Sequence, residues 1–273
     1  SIKQISQGLK VDLELLLIYT LYMRKREDFV PMKTLECRGI TLSDKQTKIC
    51  VPITGTDLEE IKEQAEKIAN MNPDIVEWRA DFYDVKDNDE TEFEQCLKAI
   101  NDNLKSIPII YTYRTSNEGG EKSIDVDDYC RLCKYVSEIS EKYNVAMIDV
   151  ELYENKDRKD IGKLLLDIKS TGVKVIGSNH HFEGTPSEKD IFNVLKTMEE
   201  AGADICKIAV MPKEKVDVKT LINASKKANK ELNAPIITMS MGELGAVTRI
   251  CTRMTGSVVT FGAGVNVSAP GQP

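Results

Sequence analysis

A lysine interrupts an apolar segment in the second half of the chain: Lys207 lies within the sequence ICKIAV, residues 205–210. Burial disfavours the ammonium form of lysine, so a buried Lys207 must either pair its charge with a partner or lose its proton. A neutral lysine amine is a nucleophile that forms Schiff bases with ketones. The alternative is an edge strand in which Lys207 points into solvent. The positions of the other polar residues favour the nucleophile.

Other charged and polar residues lie where predicted strands end. They are Glu77, Arg79, Asp81, Arg114, Glu118, His180, His181, Arg249, Ser268 and Gln272. Taken singly, several also have structural explanations, since Arg79 and Asp81 suit an ion pair and Glu118 suits a solvated loop. His180 suits a hydrogen-bonded core histidine, but the chain has only 2 histidines and both fall at one strand end.

Together these residues describe a reaction that needs no metal and no cofactor. The iminium of a Schiff base on Lys207 acts as an electron sink, so the adjacent carbon loses a proton readily. His180 takes that proton and later returns it to a leaving hydroxyl, while a carboxylate orients the imidazole ring. The arginines predict an anionic, oxygen-rich substrate, whose carboxylate suits a clamp of Arg249, Ser268 and Gln272.

Eight short β-branched segments alternate with amphipathic patterns from residue 48 onward. The predicted strands are residues 48–53, 75–81, 108–115, 146–152, 174–181, 205–211, 235–241 and 257–262. This alternation predicts right-handed βαβ units and a parallel sheet. Eight such units close into a (β/α)₈ TIM barrel, whose active site forms at the carboxyl ends of the strands. The alternative is an open doubly wound sheet, although no Gly-x-Gly-x-x-Gly motif follows the first strand.

The segments between and before these strands also carry local signals. The helical patterns include residues 57–70, 125–143, 187–202 and 217–232, and several of them open on Asp or Ser as N-caps. Residues 32–47 contain an alternating strand and a turn. They predict a hairpin that plugs the N-terminal end of the barrel.

Composition and charge indicate the kind of partner. The 273 residues include 37 lysines and arginines against 44 aspartates and glutamates, for a net charge of −7. The charges form no long block, so we expect a small-molecule partner, not nucleic acid and not a membrane. The longest apolar run, residues 15–23, is about half the length that spans a bilayer.

The 7 cysteines are scattered and odd in number, which favours reduced thiols and a cytoplasmic protein. Cys130 and Cys133 form a C-x-x-C motif inside a helical pattern. No second cysteine pair completes a zinc site, so a metal or redox role for this motif is disfavoured.

Seven segments resemble, in order, the motifs of the type I 3-dehydroquinate dehydratases. They are EWRAD, YRTSNEGGE, IDVEL, GSNHHF, KIAVMP, SMGELGAVTR and SVVTFGAGVNVSAPGQ, and the resemblance extends over residues 32–273. It implies a cofactor-free lyase of the shikimate pathway, on the route to chorismate and the aromatic amino acids. Such an enzyme converts 3-dehydroquinate to 3-dehydroshikimate by syn dehydration, often as a homodimer.

The resemblance also implies residue roles. Lys207 corresponds to the Schiff-base lysine, His180 to the general acid/base and Glu118 to its carboxylate helper. By the same resemblance, the substrate hydroxyls are held by Glu77, Arg79 and Arg114. The substrate carboxylate is held by Arg249, Ser268 and Gln272. The family often has Asp after the catalytic histidine where this chain has His181, so His180 is assigned by register.

Two other functions remain open. One is another Schiff-base barrel enzyme, such as a class I aldolase acting on a sugar phosphate, which would favour glycine-rich phosphate loops after the last two strands. The other is a non-catalytic sensor of quinate-type ligands. Such a sensor has no need of Lys207, His180 and Glu118 together, so their presence favours an enzyme.

Residues 1–31 fit no βαβ unit, and we predict an N-terminal helical segment there and a catalytic barrel over residues 32–273. The family usually continues past APGQ into a final helix, whereas this sequence stops there. One prediction is a circular permutation in which the N-terminal segment supplies the eighth barrel helix through Ile2, Ile5 and Leu9. The alternative is an appended segment that packs elsewhere.

Overall fold

The computed structural model describes residues 33–84, 89–152, 158–266 and 268–272. Within them, β1 (Thr34–Cys37) and β2 (Ile40–Ser43) pair as an antiparallel hairpin. Eight further strands form a second sheet, and they are β3 (Lys48–Ile53), β4 (Ile75–Arg79), β5 (Ile109–Thr112), β6 (Val145–Glu151), β7 (Lys174–His181), β8 (Ile205–Val210), β9 (Ile236–Ser240) and β10 (Val259–Phe261).

This second sheet closes into a barrel of parallel strands. Its order is β10, β3, β4, β5, β6, β7, β8, β9, so the last strand in sequence lies beside the first. Between β9 and β10, the Val258 N–H donates to the Ile236 carbonyl at 3.0 Å, and the Thr238 N–H donates to Ser257 Oγ at 2.9 Å. The predicted TIM barrel is therefore confirmed, and the open doubly wound sheet is wrong.

The helices cover the outside of the barrel. Those in the described residues are α1 (Leu58–Ala69), α2 (Glu90–Leu104), α3 (Val126–Glu138), α4 (Lys159–Ser170), α5 (Glu188–Glu200), α6 (Lys215–Glu231) and α7 (Gly242–Ile250). Asp57, Asp125 and Ser187 cap α1, α3 and α5 through their side chains, as predicted. The predicted start of the next helix at Asp217 is wrong by two residues, because Asp217 sits in the first turn and accepts the Glu214 N–H at 3.2 Å.

Two apolar layers pack against the strands, one between the strands and the helices and one inside the barrel. The outer layer packs strand residues against the helices, and Trp78 lies there with its ring centroid 5.5 Å from Phe93 and 5.7 Å from Tyr111. The inner layer fills the N-terminal end of the barrel, where Leu42 of the hairpin is fully buried against Ile75 and its neighbours. The predicted hairpin plug is confirmed.

Two strands end at least two residues earlier than predicted. β4 ends at Arg79 rather than at residue 81, and β5 ends at Thr112 rather than at residue 115. After β4 the chain turns into a short 3-10 helix, Ala80–Phe82. After β5 the backbone bonds to acidic side chains: the Arg114 N–H donates to Asp81 Oδ1 at 3.3 Å, and the Thr115 N–H donates to Glu151 at 2.7 Å. Acidic side chains therefore take the place of a neighbouring strand beyond the end of β5.

The N-terminal helical segment and the circular permutation fall on residues 1–31, which lie outside the described residues, so both stay predictions. Across the described ranges, no helix is long and apolar enough to cross a membrane. All seven cysteines are free thiols. Burial raises the pKa of Cys130 to about 11 and that of Cys133 well above its usual range, which disfavours the reactive thiolate of a redox motif.

Candidate active site

A cavity opens at the carboxyl ends of the barrel strands and encloses about 590 Å³ of empty space, including its open mouth. All of the sequence-predicted site residues line it, and these are Glu77, Arg79, Arg114, Glu118, His180, Lys207, Arg249, Ser268 and Gln272. Strand periodicity explains the convergence, because residues two apart on a strand face the same side. On β4, for example, Glu77 and Arg79 face the cavity, whereas Trp78 between them packs in the outer layer.

Lys207 lies in the middle of β8 and is buried, with 5 % of its surface exposed. Its Nζ donates to Asp149 Oδ2 at 2.8 Å and lies 4.8 Å from the centroid of the Phe261 ring across the barrel. The edge-strand alternative is wrong, since β8 pairs with both β7 and β9. Lys207 therefore lies inside the barrel with a buried carboxylate as its partner.

Asp149, the partner of Lys207, was missed as a site residue by the sequence reasoning. It is buried on β6, and its other oxygen accepts from Arg114 at 2.8 Å and from Ser178 Oγ at 2.5 Å. Burial raises the pKa of Asp149, but Arg114 and Lys207 outweigh burial and lower the pKa to about 2. The segment IDVEL carried the signal, since Asp149 and Glu151 put two carboxylates on one face of a strand facing the predicted lysine.

Arg114 joins several strands into one buried network. Its Nη2 donates to Asp149, while its Nη1 donates to Glu151 and to Ser178 Oγ, both at 3.0 Å. The same Nη1 lies 3.6 Å from Glu118. Three carboxylates thus surround one guanidinium, and this arrangement compensates the cost of burying them together.

His180 and Glu118 form a buried pair on the cavity wall. His180 Nδ1 lies 2.9 Å from Glu118 Oε2, and Asn179 Nδ2 donates to the other carboxylate oxygen at 3.2 Å. Burial raises the pKa of Glu118 to about 8. Burial also lowers the pKa of His180 well below its usual range, assisted by Arg114 and Lys207. Both shifts disfavour an imidazolium–carboxylate pair, so the imidazole is neutral near neutral pH.

The loop that carries Glu118 depends on two glycines. Gly119 has φ of +81°, a left-handed conformation that glycine adopts without a steric penalty. A Cβ on Gly120 would lie 1.9 Å from the Arg114 carbonyl oxygen. The sequence SNEGGE therefore lets the chain turn sharply enough to bring Glu118 back over the end of β7.

Glu77 and Arg79 line the side of the cavity formed by β4. Glu77 accepts from Thr112 Oγ1 at 2.8 Å. Arg79 donates to both oxygens of Asp81, at 2.8 and 2.7 Å, so the ion pair considered from the sequence is present. The pair holds the Arg79 guanidinium rigidly at the cavity, because a two-point contact fixes its plane.

Arg249, Ser268 and Gln272 lie together on the side of β9 and β10. Arg249 is buried, and its guanidinium donates to the carbonyls of Phe261 and Pro270, both at 3.4 Å. In the part of the chain that the structure describes, no carboxylate forms a salt bridge with it. Burial lowers the pKa of Arg249 to about 10, so it remains charged at neutral pH. Gln272 Oε1 accepts the Ser268 N–H at 2.8 Å, which closes the turn that covers Arg249.

The remaining cavity wall is apolar and carries no metal-binding cluster. It is formed in part by Ala209, Met239, Met241, Phe261 and Phe182. Among the described residues, no group of three or more His, Cys, Asp or Glu side chains could hold a metal ion. The arrangement thus offers an amine, a base and an anion site around an apolar floor.

The chain matches the family model described as Type I 3-dehydroquinase over residues 49–273. It is 39% identical to the 3-dehydroquinate dehydratase of Clostridium novyi (strain NT) over 242 residues, which cover 88% of this chain and 93% of the relative. Among solved structures, it is similar to a 3-dehydroquinate dehydratase from Geobacillus kaustophilus HTA426, with a TM-score of 0.82, 33% identity and coverage of 88% and 91% of the two chains. A type I enzyme from Clostridium difficile, described with covalently modified comenic acid, gives a TM-score of 0.81, 38% identity and coverage of 88% and 92%.

Proposed function

Because the chain belongs to the type I 3-dehydroquinase family, we propose that it dehydrates 3-dehydroquinate to 3-dehydroshikimate through a Schiff base on Lys207. One observation carries the mechanism: a buried lysine, a neutral histidine and an arginine without a carboxylate partner among the described residues share one cavity. An amine, a base and an anion site are the groups that this elimination requires.

Arg249 is the proposed anchor for the substrate carboxylate. Its buried charge lacks a carboxylate partner in the described chain, and hydrogen bonds between ionised groups are about twice as strong as neutral ones. Ser268 and Gln272 border the same end of the cavity. The hydroxyls of the substrate then face Glu77, Arg79 and Arg114, which line the same cavity on β4 and just after β5.

The covalent step begins at the ketone. The Lys207 ammonium gives up one proton, its amine attacks the carbonyl carbon, and the carbonyl oxygen leaves as water that carries this proton and one of the two protons still on Nζ. The product is a protonated iminium, so the nitrogen carries one positive charge before and after the step. The C. difficile relative, described with a covalently modified ligand, supports covalent chemistry in this family.

Elimination follows from the iminium. His180 removes a proton from the carbon next to the iminium, and the electron pair moves towards the nitrogen to give an enamine. The enamine then expels the hydroxyl on the next carbon, which leaves as water after His180 returns the proton. Because one histidine serves both halves, the proton and the hydroxyl leave from the same face, which is a syn elimination. Water finally hydrolyses the conjugated iminium and restores Lys207.

Two measurements test this function. Adding 3-dehydroquinate should produce the ultraviolet absorbance of the conjugated product, and borohydride added during turnover should give a protein whose intact mass includes the reduced ligand. Peptide mapping should place the added mass on Lys207. Active protein that gains no mass would contradict the Schiff base, whereas absence of both signals would contradict the dehydratase.

The resemblance also implies a homodimer, which remains a separate proposal. Light scattering coupled to size-exclusion chromatography should give twice the 30.6 kDa mass of one chain. A mass of one chain across the concentrations used in the activity assay would contradict it.

A further inference from the structure

Asp149 has no part in the reaction proposed above, yet it is the buried carboxylate that bonds to the Lys207 nitrogen. It has 1% of its surface exposed, and the bond measures 2.8 Å. Its position is fixed from three directions. Oδ2 accepts from Lys207, while Oδ1 accepts from Arg114 at 2.8 Å and from Ser178 at 2.5 Å. A carboxylate held in this way cannot follow the lysine if the lysine moves.

We propose that Asp149 is a positioning residue that keeps the Lys207 nitrogen protonated in the Schiff base and sets the plane of the C=N bond. This inference rests on the proposed function, since it concerns the state of the Lys207 nitrogen after it has reacted with a ketone. It assigns Asp149 no contact with the substrate atoms that change.

The number of N–H groups supports this assignment. An ammonium has three N–H groups, and two of these protons leave with the carbonyl oxygen as water. The iminium retains one N–H, together with Cε and the former carbonyl carbon, in one plane. If that N–H keeps its bond to Asp149, the plane of the C=N bond is fixed relative to β6. The Phe261 ring, 4.8 Å from Nζ, restricts the nitrogen from the other side of the barrel.

Charge supports the same assignment. The nitrogen is positive in the ammonium and in the iminium, and it is neutral in the attacking amine, in the enamine and in the unprotonated imine. A fixed carboxylate therefore stabilises the two positive states. The protonated iminium is the form that accepts the electron pair during proton removal, so loss of its proton would stop the elimination.

Other charged groups act on the residues around Lys207. Arg114 acts on Asp149, on Glu118 and on His180. Arg79 and His181 also act on His180, and Glu151 also acts on Glu118. Glu151 provides a matched comparison for Asp149. Both are buried β6 carboxylates that pair with Arg114, Glu151 through Nη1 and Asp149 through Nη2.

The test compares Asp149→Asn with Glu151→Gln, each of which replaces a carboxylate by an amide of the same shape. Cyanoborohydride reduces an iminium much faster than a neutral imine, so the yield of trapped adduct falls at high pH where the iminium loses its proton. In Asp149→Asn, this alkaline midpoint should move down by about 1–3 pH units, the usual effect of a nearby opposite charge. In Glu151→Gln it should move by a smaller amount.

Steady-state kinetics give the second readout. The Asp149→Asn variant should lose about 10²-fold in kcat near neutral pH, the order of loss caused by misplacing a reacting group, with a smaller change in KM. An alkaline midpoint unchanged in a folded Asp149→Asn protein would overturn the proposal. An equal shift in Glu151→Gln would also overturn it, because the effect would then belong to the network as a whole.

A measurement on the unaltered protein covers the case in which Asp149→Asn does not fold. With ¹⁵N-labelled lysine, one ammonium signal that disappears in Lys207→Ala should be protected from solvent exchange in the free protein. When 3-dehydroquinate is added without the reductant, the N–H of the iminium on Lys207 should be protected from exchange as well. Rapid exchange of the iminium N–H would overturn the proposal. If the wild-type protein formed no adduct at all, the proposed function would fail first, which distinguishes the two failures.

Discussion

The two sides of the cavity differ in how their charges are compensated. On the side of β4 to β8, hereafter the paired side, charged groups contact one another, and its residues are Arg79, Asp81, Arg114, Glu118, Asp149, Glu151, His180 and Lys207. On the side of β9 and β10, hereafter the clamp side, Arg249 contacts only backbone carbonyls among its described partners, next to Ser268 and Gln272.

The difference separates chemistry from binding. Side chains that must move protons or form bonds are held in fixed positions by neighbours, as catalytic preorganisation requires. Arg249 instead keeps a charge that is only weakly compensated, and burial lowers its pKa to about 10 because the charge of Glu77 offsets the desolvation only in part. A bound carboxylate would complete the clamp side. The paired side therefore predicts losses in kcat on mutation, and the clamp side predicts losses in affinity.

The strongest test of the paired side is Lys207→Ala. This change removes the nucleophile, so activity should fall by about 10⁴-fold or more, as it does when other covalent nucleophiles are removed. Borohydride with substrate should then leave the intact mass unchanged. The assay is the appearance of the conjugated product, together with intact-mass spectrometry and circular dichroism to verify the fold.

Lys213→Ala is the matched control, since Lys213 is an exposed lysine on the segment after β8. It should retain both activity and trapping. An adduct of undiminished yield on folded Lys207→Ala protein would show that another lysine is the nucleophile and would place Lys207 outside the chemistry.

The histidine–glutamate pair predicts a pH dependence. Below about pH 8 the Glu118 carboxyl is protonated and donates to His180 Nδ1, which leaves the proton on Nε2 and no free lone pair towards the cavity. As pH rises through about 8, Glu118 ionises and accepts a hydrogen bond from Nδ1–H. This tautomer of His180 leaves the lone pair of Nε2 free to act as a base. The kcat/KM of the wild-type protein should therefore rise with pH and level off above about 8.

In Glu118→Gln the amide cannot ionise, so this rise should disappear from the pH profile. His180→Ala should lose about 10²–10⁴-fold in kcat and still form some trapped adduct, because general acid/base catalysis contributes that much. If Glu118→Gln keeps the same rise in kcat/KM, another group controls the base.

Sequence reasoning identified these residues but could not identify what each one touches. Strand alternation and the strand-end positions predicted the barrel, its hairpin plug and the residues on its carboxyl face. Asp149 was missed because a polar residue inside a strand does not report its partner, which here comes from β8, 58 positions away. The strand end at Thr112 was misplaced because side-chain carboxylates replace ladder partners there, a tertiary effect that local patterns do not contain. The strand end at Arg79 was misplaced because the chain turns there into a short 3-10 helix, Ala80–Phe82.

A comparison of two arginines tests the paired and clamp sides by stability. Arg114→Met leaves Asp149 and Glu151 buried without their shared cation, so the free energy of unfolding should fall by about 3–5 kcal/mol. Arg249→Met removes a buried charge that lacks a carboxylate partner in the described chain, so the free energy of unfolding should stay the same or rise. Urea unfolding of both variants measures the difference. Equal destabilisation by the two changes would show that the sides are not compensated differently.

The smallest expected effect is on the clamp side, at Gln272. Its amide oxygen accepts the N–H groups of Ser268 and Ala269, at 2.8 and 3.2 Å, so it holds the turn over Arg249. Gln272→Ala loses these bonds, each worth about 1 kcal/mol, and KM should rise by roughly fivefold with little change in kcat. Gln272→Glu retains acceptor oxygens for both N–H groups, but it places a carboxylate of the protein beside Arg249, where the substrate carboxylate is proposed to bind. If Gln272 only holds the turn, Gln272→Glu should bind substrate better than Gln272→Ala; if the clamp binds the substrate carboxylate, the added charge competes with it and Gln272→Glu should have the higher KM. We expect Gln272→Glu to have the higher KM. Measuring KM for both variants at two salt concentrations decides between the alternatives, because screening by salt weakens only the charge competition.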